Sequence, residues 1–123
     1  MSFSGIRRRP ADILFSRYLR KKIGHCEVCG RRGEGKDGIG GLVVSHFHGR
    51  REENTRFSEE NCDITCINDH RLFHESPAKY VEFKKKKLGE KRYKLLTLAA
   101  NTHKRKDDKL ILLFLKQEIK KLT

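Results

Sequence analysis

The sequence predicts a small α+β domain, in which a strand, a loop, a second strand and a helix are flanked by N-terminal and C-terminal helices. Three observations predict this class. Apolar residues recur at helical spacing before residue 24 and after residue 76, a β-favouring run covers residues 42–44, and glycines are dense just before that run. A chain of 123 residues fits one domain with a modest core.

The first predicted element is a helix over about residues 11–22. Residues 1–10 are rich in glycine, serine and arginine, so we expect a flexible basic arm there and a single domain over 11–123. Ile13, Leu14 and Tyr18 then follow a roughly helical spacing, and Gly24 ends the pattern. This helix should cover the core.

The centre of the chain predicts a strand, a loop, a second strand and a helix. Residues 30–41 contain six glycines, which is typical of turns and hairpins. Residues 42–44 form a β-favouring run that leads into Ser45–His48. Polar residues 49–60 predict a loop, Ile64 lies in a second short apolar stretch, and residues 67–75 can form a helix. A strand therefore delivers histidines at its end.

The C-terminal part predicts three further helices. Ser76 resembles an N-cap and Pro77 a first helical residue, while Gly89 ends the pattern, so the first helix covers 77–88. The others are expected at about 90–101 and 109–122, the last one capped by Asp107 or Asp108. The lysines at 84–87 fit either a solvated helix face or a phosphate-contacting surface.

The charge balance favours a polyanionic partner. Lysine and arginine total 29 against 16 acidic residues, for a net charge of +13, and residues 76–123 hold 15 basic and 5 acidic side chains, or +10. Neither a secretory signal nor a membrane-spanning apolar run is visible, so we expect a cytoplasmic protein that does not bind membranes. A nucleic acid is such a polyanionic partner, contacted mainly through its backbone and without sequence preference.

The cysteines predict a metal site, because thiols stay reduced in the cytoplasm. Cys26-x-x-Cys29 lets two thiolates from one tight turn bind a single zinc ion. Cys66 offers a third thiol, and Asp69 stands where a second Cys-x-x-Cys motif would place its last cysteine. Three completions of the zinc site are open: Asp69, His70 or Cys62.

Four of the six histidines lie between residues 46 and 74, a density that a structural role rarely requires. His70 and His74 are four residues apart, so on a helix both imidazoles lie on one face and can share a divalent cation. His46 and His48 are two apart, so on an extended strand both point the same way. The two pairs are expected to converge across a hairpin and a helix.

These residues carry a family resemblance. Cys26-x-x-Cys29, Val44-Ser45-His46, Asn61, and Cys66 with His70 resemble the HNH (His-Me) endonuclease superfamily, over about residues 11–83. The stretches Ser45–Arg51, Thr55–Phe57 and Glu60–Cys62 further resemble small phage-type HNH nicking and recombination endonucleases.

The resemblance implies a ββα-metal finger, with a cysteine cluster like a zinc knuckle, and a nuclease activity. It implies that His46 is the general base, that Asn61 is a structural hydrogen-bonding residue and that His70 binds the catalytic metal. The expected reaction is the hydrolysis of DNA phosphodiester bonds, by nicking or by double-strand cleavage. The alternative is a non-catalytic, zinc-stabilised nucleic-acid-binding module.

The sequence departs from the family pattern at Ser45, where an acidic residue or a histidine usually binds the metal. His74 is the first candidate to complete the metal sphere, with Asp63 or His48 next. Mixed nitrogen and oxygen ligands fit Mn²⁺, Mg²⁺ or Ni²⁺. His48 is also the alternative base.

Three arginines lie in or beside the finger loop and are candidates for holding flanking phosphates. They are Arg50, Arg51 and Arg56.

Overall fold

The computed structural model describes residues 9–49, 56–100 and 108–122 and, for residues 108, 110 and 111, only the backbone. Within these ranges the chain forms a small α+β domain, in which a two-stranded antiparallel hairpin is followed directly by a helix, and five α-helices are present. The predicted α+β class is confirmed. Residues 1–8 of the predicted arm, and both Arg50 and Arg51, lie outside the described residues.

The helices begin and end within one residue of their predicted limits, where those limits are described. Capping signals explain this agreement, since they act locally. Among the helices described, none has both the length and the apolar character needed to cross a membrane. The elements are α1 Pro10–Ile23, β1 Leu42–His46, a 3₁₀ helix Glu59–Asn61, β2 Cys62–Cys66, α2 Ile67–Glu75, α3 Pro77–Leu88, α4 Glu90–Ala100 and α5 Asp108–Leu122.

Glycines shape the segment between α1 and β1. Gly24 ends α1 at a φ of 74°, and its N–H donates to the carbonyl oxygen of Arg20 at 2.8 Å. At Gly33 a Cβ atom would lie 2.0 Å from the carbonyl oxygen of Gly38, so a side chain has no room there. The predicted turn region is thus a tightly folded excursion that returns the chain to the hairpin.

The hairpin forms the centre of the core. β1 and β2 pair in an antiparallel register from Leu42 opposite Cys66 to His46 opposite Cys62. All five residues of β2 are buried, because α1 and α2 pack against the two-stranded sheet and α5 packs on α1. The buried core cluster consists of Phe15, Tyr18, Leu19, Cys26, Leu42, Cys62, Ile64, Cys66 and Leu115.

A buried carboxylate connects the hairpin to α3. Asp63 accepts hydrogen bonds from Tyr80 Oη at 2.7 Å, Lys84 Nζ at 2.9 Å and Lys87 Nζ at 2.6 Å, and Lys87 also contacts Glu27 at 2.9 Å. Asp63 and Lys84 are both 0% exposed. Lys84 therefore belongs neither to a solvated helix face nor to a phosphate-contacting surface, which corrects that expectation for one of the four lysines.

Burial determines how this network titrates. Desolvation lowers the pKa of Lys84, in spite of the attraction of Asp63. Desolvation also acts on Lys87, but Asp63 and Glu27 outweigh it and raise the pKa of that amine. Burial, with Asp63 second, raises the pKa of the Tyr80 phenol far above its ordinary value, so Tyr80 acts as a hydrogen-bond donor.

We expect Lys84→Met to lower the free energy of unfolding by about 3 kcal/mol, since it leaves Asp63 buried with one cation fewer. This is the lower end of the usual range for breaking a buried pair, because Tyr80 and Lys87 still bind the carboxylate. Urea denaturation measures the loss. The matched control is Lys22→Met, which breaks the half-exposed pair with Glu59 and should cost less than about 1 kcal/mol. Equal losses in the two variants would contradict the structural role of Lys84.

Candidate functional site

Three cysteines and one aspartate converge where the turn after α1 meets the junction of β2 and α2. The thiol sulfurs of Cys26, Cys29 and Cys66 and a carboxylate oxygen of Asp69 all lie within 4.8 Å of one another. The Cys26 and Cys66 thiols each donate to Asp69 Oδ2 at 3.2 Å. Three sulfurs and one oxygen at this spacing suit a four-coordinate metal. The predicted residues thus form a group that could hold a metal such as zinc.

The structure selects one of the three predicted completions of this group. Cys62 lies at the opposite end of β2 from Cys66 and is buried in the core cluster. His70 directs its Nδ1 atom at Ser45 Oγ, 2.8 Å away. Only Asp69, of the three candidates, joins the cysteine group.

Hydrogen bonds within the group hold one carboxylate among three thiols. The backbone N–H of Arg31 favours the thiolate of Cys29, but the bond with Cys26 and desolvation outweigh it and raise the pKa of Cys29 to about 11. Desolvation alone would raise the pKa of Asp69, yet hydrogen bonds from the three thiols lower it. A zinc ion bound here would therefore displace thiol protons.

The turn that carries the first two cysteines is anchored to the hairpin. Cys26 N–H donates to the carbonyl oxygen of Arg31 at 2.7 Å, and Gly30, at a φ of 82°, donates back to Cys26 O at 2.9 Å. Glu27 N–H donates to Ile64 O at 2.8 Å, while Ile64 N–H donates to the Glu27 carboxylate at 2.8 Å. The two thiols of the turn are thereby held against β2.

A second feature is a cavity of about 530 Å³ lined by four histidines. His46 and His48 come from the end of β1 and the residues after it, and His70 and His74 come from α2. Both predicted pairs of histidines line this one cavity. Its remaining wall is mostly apolar and includes Phe73, Val81 and Tyr93 among others.

These histidines do not form a ready-made metal cage. Within the described part of the chain, Cys26, Cys29, Cys66 and Asp69 make up the only group of three or more ligand atoms that lie this close together. The cavity thus brings the predicted residues to one place without closing a complete coordination sphere from side chains alone.

His70 is fixed by a chain of hydroxyl groups. Its Nδ1 atom lies 2.8 Å from Ser45 Oγ, which lies 2.9 Å from Thr65 Oγ1. Partial burial lowers the pKa of His70, and the neighbouring charge of His74 lowers it further. His70 is therefore predominantly neutral near pH 7, the form in which an imidazole binds a metal.

Asn61 braces the segment that follows β1. It is 0% exposed, its Oδ1 accepts from His48 N–H at 2.8 Å, and its Nδ2 donates to His48 O at 2.9 Å. Its own carbonyl oxygen accepts from Phe47 N–H at 2.8 Å. These bonds fix the backbone just after His46.

The remaining candidate residues are placed differently. Asp63 is engaged by Tyr80, Lys84 and Lys87, so it is not available as the alternative metal ligand. Arg56 is 5% exposed. Its Nε donates to Asp12 Oδ1 at 2.9 Å, which corrects its expected role as a phosphate contact.

Sequence reasoning missed Tyr80, which lines the cavity, and Thr65, which contacts the lining residue Ser45. Tyr80 lines the cavity, and its hydroxyl lies 3.0 Å from the carbonyl oxygen of Ser45. The spacing of Tyr80 and Lys84, four residues apart on a helix, would have indicated a shared face. No local pattern points to the contact of Thr65 with Ser45, because it joins two strands.

Comparisons with protein-family models, with curated proteins and with solved structures gave no match to this chain.

We expect Cys66→Ala to lose bound zinc, because it removes one of four converging ligands. Zinc content per chain, measured after dialysis, checks this. The matched control is Cys62→Ala, which removes a buried sulfur from the same strand and should keep its zinc at a cost of about 1 kcal/mol in stability. Loss of zinc from the Cys62 variant with retention in the Cys66 variant would contradict the assignment of the group.

Proposed function

We propose that the chain is a metal-dependent DNA endonuclease of the HNH type, with β1, β2 and α2 as its ββα-metal finger. The observation that carries the proposal is the convergence of His46 and His70 on one cavity, with Asn61 bracing the backbone beside His46. A nuclease of this type needs a base and a metal ligand on opposite sides of the scissile phosphate. In this proposal the hairpin supplies the base and the following helix supplies the metal ligand.

His46 is the proposed general base. It is the last residue of β1 and lines the cavity. In its neutral form it takes a proton from a water molecule as that water attacks phosphorus. The bonds from Asn61 to the backbone of His48 limit the movement of this segment, so the imidazole of His46 keeps its position during the reaction.

His70 and His74 are the proposed ligands of the catalytic divalent ion. They lie on one face of α2 and both line the cavity, so the donor set fits a cation held by two imidazoles. A bound Mn²⁺, Mg²⁺ or Ni²⁺ would stabilise the charge that develops on the phosphate and the leaving oxygen. Water and phosphate oxygens complete such a sphere.

The cysteine group is proposed as a separate, structural zinc site. Its four ligands come from the turn after α1, the end of β2 and the first turn of α2, so one ion would join all three. A chain with a modest core gains stability from such a cross-link.

DNA is the proposed substrate because the chain has a net charge of +13 and because an exposed cation lies beside the cavity. Lys85 is exposed, and its ammonium lies 5.3 Å from the ring centre of Tyr93, which lines the cavity. A phosphate contact at the cavity rim is therefore proposed for Lys85. The predicted contacts of Arg50 and Arg51 lie outside the described residues.

The decisive test is a plasmid-nicking assay with Mn²⁺ or Mg²⁺. We expect His46→Ala to reduce the rate by about 10²-fold to 10⁴-fold, with the fold and DNA binding retained, since it removes the base alone. His25→Ala is the matched control, because His25 is exposed and lies outside the cavity lining.

Two outcomes of this assay would contradict the proposal. Undiminished cleavage by His46→Ala, with loss in His48→Ala, would move the base to His48. A folded wild-type protein that binds DNA but cleaves with none of the metals would instead be a zinc-stabilised binding module.

DNA binding itself should weaken steeply with salt. With about six phosphates contacted, affinity should fall about a thousandfold between about 50 and 200 mM salt, because bound counterions are released. Fluorescence anisotropy with a labelled duplex measures this slope. We expect Lys85→Ala to reduce the slope by about 1.

Lys121→Ala is the control for the charge change, since Lys121 is paired with Glu118 on α5 at 2.9 Å. An equal change of slope in both variants would show that overall charge, and not the cavity rim, determines binding.

A further inference from the structure

We propose that Ser45 is a positioning residue for His70: its hydroxyl accepts the Nδ1 proton of the imidazole and so leaves Nε2 as the nitrogen that binds the metal. The proposal rests on the proposed function for the role of His70 as a ligand. The contact itself, between β1 and α2, is a 2.8 Å hydrogen bond between Ser45 Oγ and His70 Nδ1.

Ser45 is placed to hold the ring and not to bind the metal itself. Ser45 is 2% exposed, and its hydroxyl oxygen contacts both His70 Nδ1, at 2.8 Å, and Thr65 Oγ1, at 2.9 Å. A serine hydroxyl has one proton and two acceptor sites, so two such partners use most of its capacity. The carbonyl oxygen of Ser45 is also engaged, by the hydroxyl of Tyr80 at 3.0 Å.

The order of donors follows from the chemistry of the ligand. A neutral imidazole carries one N–H, and the nitrogen that binds a metal must be the other one. With Nε2 as the ligand, His70 Nδ1–H donates to Ser45 Oγ, and the Ser45 hydroxyl donates to Thr65 Oγ1. Metal-binding histidines commonly donate their second nitrogen to a carboxylate or a carbonyl oxygen, and here a hydroxyl pair takes that place.

Two strands and a helix keep this chain of hydroxyls in register. Ser45 pairs with Asp63 across the hairpin, and Thr65 lies two residues further along β2, on the same face. Thr65 is 0% exposed, so water does not compete for Ser45 at that end. The orientation of His70 is thus determined by residues that do not touch the metal.

The first test reads the tautomer of His70 directly, without metal in the cavity and without any assay of activity. In the ¹⁵N-histidine-labelled protein, loaded with zinc at the cysteine group only and kept at about pH 8, long-range ¹H–¹⁵N spectra should show the Nδ1–H tautomer for His70, with His70→Gln assigning the signals. The tautomer should change to Nε2–H in Ser45→Ala. Thr65→Val should also shift it, because the Ser45 proton then turns to Nδ1.

Ser16→Ala is the matched control, since it removes another buried serine hydroxyl, on α1. It should leave the tautomer unchanged, whereas Ser45→Thr, which keeps the hydroxyl, should retain the wild-type signal. An Nε2–H tautomer in the wild-type protein would overturn the proposal without depending on whether any variant folds. The same tautomer in wild type and Ser45→Ala would also overturn it.

The second test measures Mn²⁺ binding by electron paramagnetic resonance. We expect Ser45→Ala to weaken Mn²⁺ about tenfold or more, and His70→Ala to remove the site. If His70→Ala weakens Mn²⁺ binding but Ser45→Ala binds Mn²⁺ with wild-type affinity, the role of Ser45 alone is overturned. Wild-type affinity in His70→Ala would instead refute His70 as a ligand, and with it the proposed function, while the tautomer still decides what Ser45 does.

Discussion

The carboxylate of Asp63 constrains the whole domain. A charge placed in a fully buried strand is costly unless donors surround it, and here a phenol and two amines from α3 do so. Tyr80, Lys84 and Lys87 reach Asp63 together only if α3 lies across the hairpin. The position of this helix is therefore determined by an electrostatic requirement as much as by apolar burial.

The same network reaches both parts of the candidate site. Lys87 bridges Asp63 and Glu27, and Glu27 lies between the two cysteines of the turn. Tyr80 contacts Asp63 and the backbone of Ser45, which in turn holds His70. The cysteine group and the histidine cavity thus share one support, and the short hairpin gains a rigidity that two strands alone would lack.

The sequence predicts those features that local chemistry determines. Gly24, Gly89 and Pro77 are helix-terminal signals, so helix limits could be predicted without any tertiary information. The Cys-x-x-Cys turn is similarly local. The sequence leaves Asp69 as one of three candidates for the fourth ligand of the cysteine group, because the choice depends on where α2 begins relative to the turn.

The features that could not be predicted from the sequence depend on pairing between residues that are distant along the chain. Arg56 and Lys84 look like ordinary surface cations, and only their partners Asp12 and Asp63, in distant elements, place them in the interior. A basic residue in this chain is therefore a weak indication of a DNA contact when taken alone. An exposed position, such as that of Lys85, is the stronger indication of such a contact.

The buried carboxylate of Asp63 also explains why a serine is favourable at position 45. Ser45 pairs directly with Asp63 across the hairpin, where side chains are only about 5 Å apart. An acidic residue at position 45 would put a second carboxylate beside Asp63 in a site closed to water, and the two charges would repel strongly. A neutral hydroxyl avoids this repulsion and still offers an acceptor to His70. In this chain a second carboxylate at position 45 would thus oppose the one that stabilises the fold, whereas serine is compatible with it.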